Sequence, residues 1–111
     1  MTKLLNSFKN AEEFFISEAQ TVGLKFSKKE QIENTNKWIY FFIHRTVTVK
    51  IVFTIDTLIG QFVKAEDITI GGEPVDFHFD AVEVVSHYKI EACKEGINAL
   101  LSYMNKKLLE N

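Results

Sequence analysis

The sequence predicts an α+β domain of two layers, an antiparallel meander sheet of three to five strands with an N-terminal and a C-terminal helix packed on one face. Three observations point there. Apolar residues recur at helical spacing at both ends of the chain and alternate in its middle. Gly71-Gly72-Glu73-Pro74 then marks a sharp turn between the strand region and the last segment. At 111 residues, the chain is expected to form a single domain over residues 1–111.

The first element is a helix. Leu4, Leu5, Phe8, Ala11, Phe15, Ala19 and Val22 follow one another at three- and four-residue steps, Phe14 and Ile16 widen the stripe, and Gly23 stands where a helix end favours a left-handed residue. Four strand candidates follow. "LKFSKKEQIE" (24–33) is polar and Lys-bearing, which suits a sheet edge. After the turn cluster "NTN" (34–36), "KWIYFFIHR" (37–45) is apolar at nearly every position, and a short hairpin near His44-Arg45 leads on. In "TVTVKIVFTID" (46–56), Val47, Val49, Ile51, Phe53 and Ile55 alternate with more polar residues. "FVKAEDITI" (62–70) completes the meander.

The last segment, from about Ala81 to Leu109, reads mostly as helix through Val85, Tyr88, Ala92, Ile97, Leu100, Leu101, Met104 and Leu108. Lys106 and Lys107 complement its dipole, and Asp80 with Glu83 resembles a capping box. Two features oppose a continuous helix. "VEVV" (82–85) is β-branched, so residues 82–90 also fit a strand, and Gly96 costs about 1 kcal/mol inside a helix.

Because "KWIYFFIHR" carries apolar residues on both faces, one set must face away from the helices. Placing Ile39, Phe41 and Ile43 under the helices leaves Trp38, Tyr40 and Phe42 on the open face, where Trp and Tyr suit an interface. The same residues suit a central strand covered on both sides, or a homodimer formed back to back.

Charge narrows the partner class. The net charge is −2, with 13 bases and 15 acids, which disfavours nucleic acid as a ligand. A nucleic-acid binder would need a continuous basic stripe joining Lys25, Lys28, Lys29, Lys37, Arg45 and Lys50. The acids concentrate later in the chain. Between residues 56 and 83, Asp56, Glu66, Asp67, Glu73, Asp76, Asp80 and Glu83 meet a single base, Lys64.

In "GGEPVDFHFDAVEVV" (71–85), Asp76, His78 and Asp80 alternate with Phe77 and Phe79. A metal half-site would need a fourth ligand from His44 or His87, and the simpler reading is a polar face followed by a helix cap. Cys93 is alone and fits a small buried apolar residue, six positions from His87 and so out of reach of it on one helix. No glycine-rich phosphate loop occurs. No catalytic residue, metal site or cofactor is assigned, and the chain is not expected to be an enzyme.

The N-terminal stretch lacks the apolar run of a signal peptide and no segment approaches a membrane span, so a cytoplasmic protein without a membrane partner is expected. The functional expectation is a non-catalytic protein-binding domain that neutralises a basic partner through an acidic and aromatic surface. Immunity proteins act in this way against the toxin domains of nucleases, and the parallel rests on size and charge alone. Glu66, Asp67, Glu73, Asp76, His78 and Asp80 would make the contacts, with Trp38 and Tyr40 as anchors. The alternative is a small-ligand module or weak enzyme with a Phe-lined pocket between sheet and helices.

Overall fold

A computed structural model describes the backbone of residues 2–56, 60–81 and 89–109, with side chains over 11–56, 60–81 and 93–109. It has the anticipated α+β architecture. Helix α1 (Thr2–Thr21) precedes strands β1 (Lys25–Gln31), β2 (Lys37–His44), β3 (Val47–Asp56) and β4 (Gln61–Ile70). Two short strands, β5 (Glu73–Pro74) and β6 (Phe79–Asp80), precede helix α2 (Lys89–Leu109). The long strands form an antiparallel meander in sequence order, and β5 and β6 both pair with the outer edge of β4.

Helix α1 ends in a Schellman motif. Gly23 lies at φ 85°, its N–H donates to the Gln20 carbonyl at 3.0 Å, and the Leu24 N–H donates to the Ala19 carbonyl at 2.9 Å. Leu24 and Ala19 are both fully buried, which supplies the apolar contact that usually accompanies this cap. The strands turn with similar economy. Arg45 takes a positive φ in the two-residue loop Arg45-Thr46, and Gly71-Gly72, both at positive φ, join β4 to β5 as a tight hairpin.

Both helices pack on one face of the sheet. Phe15, Ala19 and Leu24 share a core with Tyr40, Phe42, Val49, Ile51, Phe53, Ile55, Phe62, Ala65 and Ile68, and with Ile97, Leu100, Leu101, Met104 and Leu108 of α2. Phe15 is its centre, meeting Phe42, Phe53 and Phe62 edge to face at 5.1 to 5.9 Å. Cys93 is buried beside Val63 and Ala81 in a smaller cluster.

Strand β2 faces the other way from the sequence expectation. Tyr40 and Phe42 are fully buried under the helices and Trp38 packs at the rim of the same core, while Ile39, Phe41 and Ile43 lie on the open face. The physical reason is register. With a two-residue loop, His44 pairs with Val47, so Phe42, Tyr40 and Trp38 fall opposite Val49, Ile51 and Phe53. Those β3 residues are unambiguously core-facing, and cross-strand partners share a face.

Asp80 does not cap a helix either. It sits in β6 opposite Lys64, and the Ala81 N–H donates to the Val63 carbonyl at 2.7 Å, so the chain is still sheet-bonded there. Glu83, Val85, His87, Tyr88 and the choice between strand and helix for 82–88 lie outside the described residues.

Gly96 has a steric explanation. A Cβ at this position would come within 2.5 Å of Phe79 Cδ2, so the glycine lets the β6 ring lie directly on the α2 backbone. Helix propensity alone predicts that Gly96→Ala stabilises by about 1 kcal/mol. The contact reverses the sign, and we expect a destabilisation of about 1–3 kcal/mol by urea unfolding, from overpacking. A stabilised Gly96→Ala would show that Phe79 does not hold this position.

Candidate functional site

The helix-free face and the outer edge of β4 carry the polar chemistry. Strand β4 departs from regular pairing where the acids begin. Val52 pairs with Glu66, Lys50 pairs with Thr69, and Asp67 lies between them at φ 50°. This bulge turns Ile68 into the core and Asp67 out to solvent. The chain leaving β5 crosses the bulge, held by the Val75 N–H donating to the Ile68 carbonyl at 2.9 Å.

Along that crossing the sequence alternation is retained. Asp76, His78 and Asp80 are exposed, while Phe77 stacks on Tyr103 at 4.8 Å and Phe79 lies on Gly96. Only residues 79 and 80 form a strand, so the three polar groups mark the outer side of an extended, partly irregular segment. Among the described residues no three His, Cys, Asp or Glu side chains converge as a cation site.

Of the predicted contact residues, Glu66, Asp67, Asp76 and His78 come together around a depression of about 440 Å³, with Lys50, Thr69, Pro74 and Phe77 completing its walls. The members differ in electrostatic availability. The Glu66 carboxylate is held by Lys37 at 3.2 Å and Lys64 at 3.6 Å. Asp67, Glu73 and Asp76 are exposed and form no ion pair among the described residues. Glu73 sits apart, at the hairpin end, where His44, Arg45 and Lys107 border another depression. Asp80 lies across from Lys64, one row from Glu66.

The two aromatic anchors are not part of this group. Trp38 is on the helix side near β1, with Lys29 Nζ 5.2 Å from its ring centre. The Tyr40 side chain is buried, and its hydroxyl donates to Glu12 Oε2, which also takes Lys29 Nζ at 2.7 Å. Burial, the hydrogen bond to Glu12 and the Glu12 charge together push the Tyr40 phenol well above its ordinary value of 10.0. Tyr40 is thus a structural tie between α1 and the sheet, inaccessible to a partner.

The lysines do not form a basic stripe. Lys25, Lys28, Lys37 and Lys50 are on the open face, Lys29 is on the other and Arg45 is in the hairpin loop. Lys28 is paired with Glu30 at 3.0 Å and Lys37 with Glu66. A groove of about 540 Å³ also runs between the helices, lined by Ala11, Phe14, Phe62 and Ile97 with Gln61, Lys94 and Asn98. Among the described residues no helix is long and apolar enough to cross a membrane.

No family model, curated protein or solved structure matches the chain. Fold and site together define a small α+β protein with an open-faced antiparallel sheet and an acidic edge.

Proposed function

We propose that this protein is a non-catalytic binding domain that engages and neutralises a basic protein, of the immunity-protein or inhibitor type, through the outer edge of β4. One observation carries the reading. Asp67, Asp76 and Glu66 gather with His78 about one depression, and Asp67 and Asp76 carry charge that no ion pair offsets among the described residues. Unbalanced acids on a fixed sheet edge attract a cationic surface from a distance and speed association. Asp67 and Asp76 are the principal contacts, Glu73 and Asp80 extend the edge, and Glu66 is already shared with two lysines.

Capture from lysate on the immobilised protein, at low and then moderate salt, identifies the partner. The paired substitution Asp67→Lys with Asp76→Lys is then expected to slow association at low salt by about tenfold or more and to flatten its salt dependence. Unchanged affinity and salt slope would reject the acidic edge as the contact. The groove between α1 and α2 favours a second reading, a small-ligand module, because its lining is mostly apolar with a few polar groups. A column that retains no protein would shift the balance to that groove.

A further inference from the structure

We propose that the groove between α1 and α2 binds a free carboxylate with an apolar tail, of the fatty-acid class, with the tail on Phe14, Phe62 and Ile97 and the carboxylate at Lys94. The inference rests on the small-ligand reading of this groove and is independent of the acidic edge. Two helix faces make the walls. Lys94, Ile97 and Asn98 stand three and four residues apart on α2, and Ala11 and Phe14 stand three apart on α1, so each set shares one side of its helix. Gln61 and Phe62, at the start of β4, close the bottom. The space of about 540 Å³ falls within the range of roughly 300–1,000 Å³ usual for small-molecule sites.

The lining specifies both ends of the ligand. Phe62 and Ile97 are buried, so the floor is the outer surface of the core, and Phe14 stands half exposed beside it. Single exposed apolar residues are ordinary on a protein surface. Phe14 differs because it borders a concave space with an apolar floor. The polar members are Lys94, Gln61 and Asn98, one cation and two amides, with no carboxylate among them. In a chain of 15 acids and 13 bases, this is the reverse of the depression on the outer edge of β4. Lys94 forms no ion pair among the described residues. A cation with no acid beside it in the groove, next to an apolar floor, complements an amphiphile with an anionic head.

The head is a monoanion. One ammonium and the amide N–H donors of Gln61 and Asn98 suit the two oxygens of a carboxylate, whereas a phosphate dianion would leave a charge unmatched. The ligand is a free molecule and not a lipid held in a bilayer. The apolar surface is recessed between two helices and a strand, and a single lysine does not hold a protein on an anionic membrane, where clusters of cations are needed. Gln61 and Phe62 open β4 whereas Asp67 lies at its bulge, so the groove and the proposed acidic contact can be tested separately.

Amide-shift titration of the full chain with octanoate, decanoate and octanol, each kept below the concentration at which it self-associates, tests the idea. Shifts should centre on Phe14, Phe62, Ile97 and Asn98. Lengthening octanoate to decanoate should tighten binding by at least about fourfold. Lys94→Met keeps an apolar stem and removes the charge, and should weaken decanoate by about threefold or more while leaving octanol unchanged. Phe14→Ala should weaken all three ligands. If Lys94→Met left decanoate unchanged, the carboxylate assignment would be wrong while the small-ligand reading stood. No shift with any of the three would overturn both. Co-sedimentation with phosphatidylglycerol vesicles, without a response to free decanoate, would overturn the proposal in favour of a membrane surface.

Discussion

Phe15→Ala is expected to lower the free energy of unfolding by about 3–5 kcal/mol. Phe15 is 1% exposed, and its ring is the contact between α1 and three sheet residues, Phe42, Phe53 and Phe62. Truncation removes apolar burial and leaves a cavity walled by rings that are themselves interlocked, with Phe53 and Phe62 at 4.5 Å and Tyr40 and Phe53 at 5.3 Å. Such walls collapse poorly, which places the cost in the upper part of the usual span for core truncations. Domains of this size hold about 5–15 kcal/mol in total, so the variant should be close to unfolded or unfold at much lower urea. Phe14, the next residue, is 54% exposed, and Phe14→Ala should cost well under 1 kcal/mol. Equal effects at the two positions would contradict the packing of α1.

The second large effect is alkaline. The Tyr40 phenol is held protonated by burial and by Glu12, so its folded value lies above the unfolded value of 10.0. The sign follows from linkage. Below pH 10 both states keep the proton and the stabilisation is fully present. Above it the unfolded chain loses the proton while the folded chain keeps it, so stability falls as pH rises. The contribution of this one group is about 1.4 kcal/mol per pH unit. In Tyr40→Phe that part of the slope should vanish, at a cost near neutral pH of about 1–3 kcal/mol for the lost hydrogen bond to a carboxylate. Urea unfolding of both proteins from pH 8 to pH 11 measures it. Parallel pH curves would show that Tyr40 ionises freely.

Much of the architecture was legible because it depends on local chemistry. The α1 cap follows from the intrinsic tolerance of Gly23 for positive φ, and the β4–β5 hairpin from Gly71-Gly72. Strand β3 announces its core face by alternation, and the edge position of β1 follows from its lysines. Strand β2 was harder. A strand apolar at each of residues 38–43 has no periodicity by which to choose a face, and only its pairing with β3 decides. The two-residue loop after His44, seen in the folded pairing, sets which residues of β2 stand opposite Val49, Ile51 and Phe53.

The acidic edge was legible as composition and not as geometry. The density of acids between 66 and 80 is visible in the chain, whereas the bulge at Asp67, the pairing of Glu66 with Lys37 and Lys64, and the separation of Glu73 from Asp76 depend on residues brought together across strands.

The short strands β5 and β6 were not foreseen, whereas sequence by itself determined the class of fold, the order of the two helices and four long strands, and the sign of the charged edge. These arise from φ preferences, side-chain period and net charge, which act over a few residues. Tertiary structure alone decided which face of β2 is buried, why residue 96 must be glycine, and which acids stay unpaired. Each of these is set by a contact between separated segments: Tyr40 with Ile51 across the β2–β3 pairing, Phe79 with Gly96, and Glu66 with Lys37.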